Sequence, residues 1–135
     1  MKDFNAELIK RLHNEVWSEG NIDVLNEICS KDFVDYISDD KIKSLDSYKN
    51  MVTEFRKAFP DWKERIQELI ISGDKVVSRY SSSGTHLGVL FNTIQPTGKI
   101  VTLNEIAIFY IKEGKISEQR GIFDLYALYK QLGVV

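Results

Sequence analysis

The chain has 135 residues, 43% hydrophobic and 28% charged, with a formal net charge of −2; one domain of this size hides roughly two-thirds of its unfolded surface and needs no disulfide or metal to fold. Charges of both signs are interspersed with no basic stripe, which argues against a nucleic-acid partner, and no apolar run approaches the roughly 20 residues that cross a bilayer. The single cysteine, Cys29, closes the apolar run Val24-Leu25-Asn26-Glu27-Ile28-Cys29 and reads as a small buried hydrophobe; with no internal disulfide available and no signal-type segment in MKDFNAELIK, the chain reads as cytoplasmic.

The first segment, Asp3 to Glu19, reads as an amphipathic helix. Phe4, Leu8, Leu12 and Val16 recur every four residues, Ile9 and Trp17 widen the stripe, and Lys10, Arg11, Asn14 and Glu15 fall opposite. His13 lies on the flank of that stripe and reads as a surface or packing residue. Gly20 stops the helix, and Asn21 can cap a second over Ile22 to Cys29. A brief extended stretch, Phe33 to Ile37, and a polar loop, Ser38 to Ser44, lead to a third helix from Leu45 to Ala58. Its apolar residues stand three or four apart, and Pro60 ends it.

Beyond Pro60 the period changes to that of strands. Trp62 to Ser72 and Lys75 to His86 flank the turn signal Gly73-Asp74, and Leu87 to Gly98 reads as a loop. Lys99 to Ile111 and Lys115 to Phe123 flank Glu113-Gly114, and a last helix spans Leu125 to Leu132 before Gly133. Helices segregated from an antiparallel meander make the class α+β, in one domain over residues 1–135. Four long strands and a short one cannot stay flat; curled, and roofed by about three helices on one side, they leave a hollow of the kind that takes small molecules.

Several stretches, in order along the chain, resemble the SnoaL-like polyketide cyclases of the NTF2-like superfamily. Glu15-Val16-Trp17-Ser18-Glu19-Gly20-Asn21 looks like the end of that family's first helix, and Lys31-Asp32-Phe33-Val34 like its strand entry. Ala58-Phe59-Pro60-Asp61 is similar to its helix stop. Gly84-Thr85-His86-Leu87-Gly88, Pro96-Thr97-Gly98-Lys99, Gly114-Lys115-Ile116 with Glu118, and Asp124 with Gln131-Leu132-Gly133 are similar to its later turns. The resemblance implies a cone-shaped fold, a cofactor-free pocket for a hydrophobic small molecule, and a homodimer or homotetramer. Many members carry histidine where this chain has Tyr36, and a His-Trp pair where it has Gln119-Arg120.

Asp124 is where the resemblance puts an acid/base aspartate; the same residue is also a good N-cap for the last helix. His86 is either a proton shuttle or the anchor of its loop. Glu105 lies in a strand that should be mostly buried, where a carboxylate is costly unless paired or protonated, so it faces either a pocket or an interface. Arg79 and Arg120 sit in strands as well, as substrate anchors or as ion pairs on the outer face. Tyr36, Trp62, Tyr80 and Phe91 are candidates for an aromatic pocket lining. No His-Glu-x-x-His or Cys-x-x-Cys spacing points to a metal. The leading expectation is cofactor-independent acid/base chemistry on a carbonyl compound, an aldol-type cyclisation or isomerisation, with Asp124 as the base. The alternatives are ligand binding without turnover and a module for oligomerisation or partner docking.

Overall fold

The computed structural model describes residues 3–38 and 41–135. Helix α1, Phe4–Arg11, begins where Asp3 Oδ1 accepts from the backbone N–H groups of Asn5 and Ala6 at 2.9 and 3.1 Å. A π-helical segment, Leu12–Trp17, continues it, with the Ser18 N–H reaching back five residues to the His13 carbonyl. The buried stripe is Ala6, Ile9, Leu12, His13 and Val16; Phe4, read as its first member, is 83% exposed. Gly20 closes the segment at φ +77°, in the left-handed conformation that glycine tolerates.

Helix α2, Val24–Ile28, is shorter than the expected Ile22 to Cys29, because Cys29 already belongs to strand β1, Cys29–Ser38. That strand is ten residues long, not a brief stretch. The expected loop Ser38 to Ser44 holds a further strand, β2, Lys41–Ser44, whereas Asp39 and Asp40 lie outside the described residues. Helix α3, Leu45–Ala58, matches its periodicity and is capped by Ser44 Oγ on the Ser47 N–H. Strands β3 (Lys63–Ser72), β4 (Lys75–Thr85), β5 (Ile100–Lys112) and β6 (Lys115–Ile122) form the expected antiparallel meander, and α4, Leu125–Leu132, follows.

The sheet has six strands in the order β2-β1-β6-β5-β4-β3, with β1 parallel to β6. The class is the expected α+β; the additional strand arises because β1 hydrogen-bonds on both sides. A bulge at Gln67 in β3 leaves Ile66 opposite Tyr80 and Leu69 opposite Ser78. Glu64, Ile66 and Leu69 therefore share one face although the last two are three apart, and the bulge adds to the twist that bends the sheet. The helices pack on that face over two apolar clusters. One joins Ile9, Val16, Leu25, Tyr48 and Phe109; the other joins Phe55, Phe59, Trp62, Leu103 and Leu128.

The tightest packing marks the second cluster. A Cβ on Gly84 would stand 2.8 Å from the Trp62 ring, and one on Gly88 2.2 Å from the Lys57 carbonyl oxygen. The close approach at Gly88 lets the Leu87 and Gly88 N–H groups both donate to the Ala58 carbonyl, tying the loop after β4 to the end of α3.

Candidate functional site

The two clusters do not meet completely. Between the concave sheet, α3 and α4 lies a cavity of about 990 Å³, large enough for a drug-sized molecule. Aromatic rings form part of its wall, with Trp17, Phe55, Trp62, Tyr80, Phe123 and Tyr129 contributing. Five carboxyl groups line the cavity; Asp46 and Glu54 stand on α3, and the other three, Asp35, Glu64 and Glu105, stand on the sheet.

Strand register arranges them. Glu64 stands opposite Ser82, and Glu105 opposite Tyr80. Asp35 stands opposite Gln119, which in turn lies opposite Phe109, four residues beyond Glu105 along β5. Each carboxyl has a different polar environment.

Glu64 is buried and fully engaged. Its Oε1 accepts from His13 Nδ1 at 2.7 Å and its Oε2 from Trp62 Nε1 at 3.1 Å. The other His13 nitrogen, Nε2, is 2.9 Å from Ser78 Oγ, and the imidazole leans on the Tyr80 ring at 4.4 Å between centroids.

Glu105 has one partner, the Ser82 hydroxyl, which donates to Oε2 at 2.8 Å. Burial pushes its carboxyl up to about 7, helped by the charges of Glu64 and Asp124 and opposed by the Ser82 hydrogen bond. Tyr80, directly opposite, is held well above the usual phenol range, first by burial and then by the charges of Glu64 and Glu105. A proton acceptor of near-neutral pKa thus sits beside a phenol that stays protonated. Asp35 is buried as well, and desolvation lifts its carboxyl to about 6 against the pull of Lys43.

Of the residues singled out in the sequence, Glu105, Tyr80, Trp62, Tyr36 and Phe91 line the cavity. Phe91 does so from the loop after β4, half exposed and at φ +50°. Tyr36 also carries the Arg120 guanidinium 3.9 Å over its ring. Arg120 bonds Glu118, and Arg79 bonds Glu68 at 3.0 Å; neither arginine is among the lining residues. Alternation explains this, because Gln119 and Tyr80, their strand neighbours, point inward.

Asp124 is exposed and its Oδ1 accepts from the Ala127 N–H at 3.0 Å, capping α4. It stands outside the cavity lining and reaches the site through its charge on Glu105. His86 is fully buried, away from the cavity, stacked on Phe59. Its Nδ1 is 3.0 Å from Thr97 Oγ1 and accepts from the Thr97 N–H at 3.2 Å, an arrangement that joins the two ends of the loop from residue 87 to residue 98.

Asp35, Glu64, His13, Ser82 and Gln119 were not among the candidates. Period two carries the missing signal for two of them: Asp35 shares a face with Phe33, and Glu64 with Ile66. Among the described residues, no three His, Cys, Asp or Glu side chains converge to hold a metal ion, and no helix is long and apolar enough to cross a membrane.

A family model described as SnoaL-like polyketide cyclase matches residues 7–132. No curated protein matches the chain. Solved structures do. A candidate polyketide cyclase from Acidithiobacillus ferrooxidans is 27% identical over 98% of this chain and 96% of its own, with a TM-score of 0.84. One from Bacillus cereus ATCC 10987 is 26% identical over 98% and 82%, at 0.81. A candidate SnoaL-like cyclase from Jannaschia sp. CCS1, at 21% identity over 98% and 93%, superposes at 0.88 and shares the fold.

Proposed function

This chain belongs to the SnoaL-like polyketide cyclase family, and we propose that it performs cofactor-independent acid/base chemistry on an apolar carbonyl compound, with Glu105 as the proton shuttle. The ionised carboxyl of Glu105 removes a proton from the carbon next to a carbonyl. The Tyr80 hydroxyl donates a hydrogen bond to the oxygen on which negative charge develops. The enolate carbon then attacks a second carbonyl of the same molecule, forming the new carbon–carbon bond. The resulting alkoxide recovers the proton from Glu105, so the enzyme ends as it began.

The observation that carries this reading is the pairing of Tyr80 with Glu105 across β4 and β5, both on the cavity wall. The apolar setting that lifts Glu105 to about 7 gives it the proton affinity to act as base and then acid near neutrality. Asp124 enters as a neighbour whose charge raises that affinity.

Exchange of α-protons of an apolar ketone, such as 1-tetralone, for deuterium in D₂O tests the first step by NMR. Glu105→Gln should slow enzyme-dependent exchange by about 10²-fold or more, and exchange at the wild-type rate would overturn the assignment. A second reading, ligand binding without turnover, draws on the exposure of Asp124 and its capping bond. Its signature is a wild-type protein that binds the ketone and exchanges none of its protons.

A further inference from the structure

We propose that Asp35 is the anchor for a protonated amine, so that the molecule held in the cavity is an extended, apolar, amine-bearing compound. The proposal deepens the reading above, since it takes the same cavity as the ligand's seat, and it concerns the end remote from Glu105.

The three inward carboxyls of the sheet differ in what satisfies them. Glu64 receives two donors and Glu105 one. Asp35 is only 5% exposed and lines the cavity, yet no hydrogen-bond donor or ion-pair partner reaches its carboxyl among the described residues. The nearby Tyr48 hydroxyl is committed elsewhere. Tyr48 accepts from Trp17 Nε1 at 3.0 Å and donates to Gln119 Oε1 at 3.1 Å. Lys43, opposite on β2, acts on Asp35 only through its charge. A carboxyl this buried is costly without a partner, and a donor held in the cavity that Asp35 lines would relieve it.

Charge and shape define that donor. Asp35, Asp46, Glu54, Glu64 and Glu105 line the cavity against one lysine, Lys43. A carboxylate ligand would be repelled, and a neutral one would leave Asp35 ionised and unpaired. An ammonium group supplies both a hydrogen bond and the missing charge, and the Trp17 and Phe55 rings of the same wall suit a cation. The Asp35 row lies four residues along β5 from Glu105 and two strands across, about 13 Å along the strand direction alone. A molecule that reaches both carboxyls is therefore long.

Three probes on one phenylbutyl chain test the assignment by calorimetry: 4-phenylbutylamine, its isostere 4-phenylbutanol, and 5-phenylvalerate. Wild type should bind the amine about tenfold or more tighter than the alcohol, and the carboxylate weakest. Asp35→Asn should erase the preference for the amine while keeping the alcohol affinity, which also reports an intact fold. Glu105→Gln should keep the preference. The proposal is overturned by failure of the amine to bind wild type, by equal binding of amine and alcohol, by tighter binding of the carboxylate, or by a preference that survives Asp35→Asn, whether or not Glu105→Gln keeps it. Amine preference without ketone exchange in wild type would count against the Glu105 chemistry alone. Ketone exchange without amine preference would count against Asp35 alone.

Discussion

If Glu105 is held near pH 7 by the cavity, then replacing it should stabilise the protein, and only above the carboxylate range. The ordinary value for the side chain is 4.5 and the folded value about 7. The folded protein therefore binds the proton more tightly than the unfolded chain does. Below pH 4.5 both states are protonated and the site costs nothing. Between 4.5 and 7 the unfolded chain ionises first, and stability falls as pH rises; above 7 the loss is complete. A difference of about 2.5 pH units corresponds to roughly 3 kcal/mol at 1.36 kcal/mol per unit. Glu105→Gln removes the titration and retains an oxygen that can accept from Ser82. The variant should be more stable than wild type by up to about 3 kcal/mol at pH 8 and by less than about 1 kcal/mol at pH 5. Urea unfolding at the two pH values measures this. A gain of equal size at both, or a loss at pH 8, would show that Glu105 is ionised and comfortable in the folded state, and the base assignment would fall with it.

His13→Ala removes one of the two donors to a buried carboxylate and should destabilise the fold by about 3 kcal/mol in the same assay; a change under about 1 kcal/mol would mean that Trp62 alone satisfies Glu64. Gly84→Ala drives a methyl group against Trp62 and Phe59 and should cost about 2 kcal/mol, seen as a lowered melting temperature. Asp124→Asn keeps the cap of α4, because asparagine caps as well as aspartate. It removes a charge that raises Glu105, so the acid limb of the pH–rate profile for ketone exchange should move to lower pH; loss of exchange at every pH would return the base to Asp124.

The helices of the fold were legible because their apolar spacing and caps are local. The spacing of Leu45, Tyr48, Val52 and Phe55 outlines α3, and Pro60 stops it close to where the structure does. Strand β2 and the full length of β1 were not, since Lys41 to Ser44 is polar and becomes a strand only through its partner. The inward face of α1 was misplaced by reading Phe4 as its first member, which left His13 on the flank when it belongs in the core. Glu105 could be picked out as a charge in an apolar strand. Asp35 and Glu64 sit in more polar stretches, and their burial is set by neighbours more than 40 residues away, His13 and Gln119 among them. Asp124 shows the limit of position: an aspartate at the head of a helix fits both a cap and an acid/base role, and the sequence alone does not show that it caps α4 from an exposed position.

The parallel pairing of β1 with β6 has a kinetic consequence. Cys29 meets Ile116 and residues 34–36 meet residues 118–120, the longest-range strand pairing in the sheet, whereas β3–β4 and β5–β6 join through two-residue turns and β4–β5 through the loop between Thr85 and Ile100. Loop-closure entropy delays such a contact until the hairpins are in place. The meander, with Glu105 and Tyr80 already face to face, is thus expected to assemble first. The wall bearing Asp35 arrives last, so the vessel acquires its chemistry before it acquires its far end.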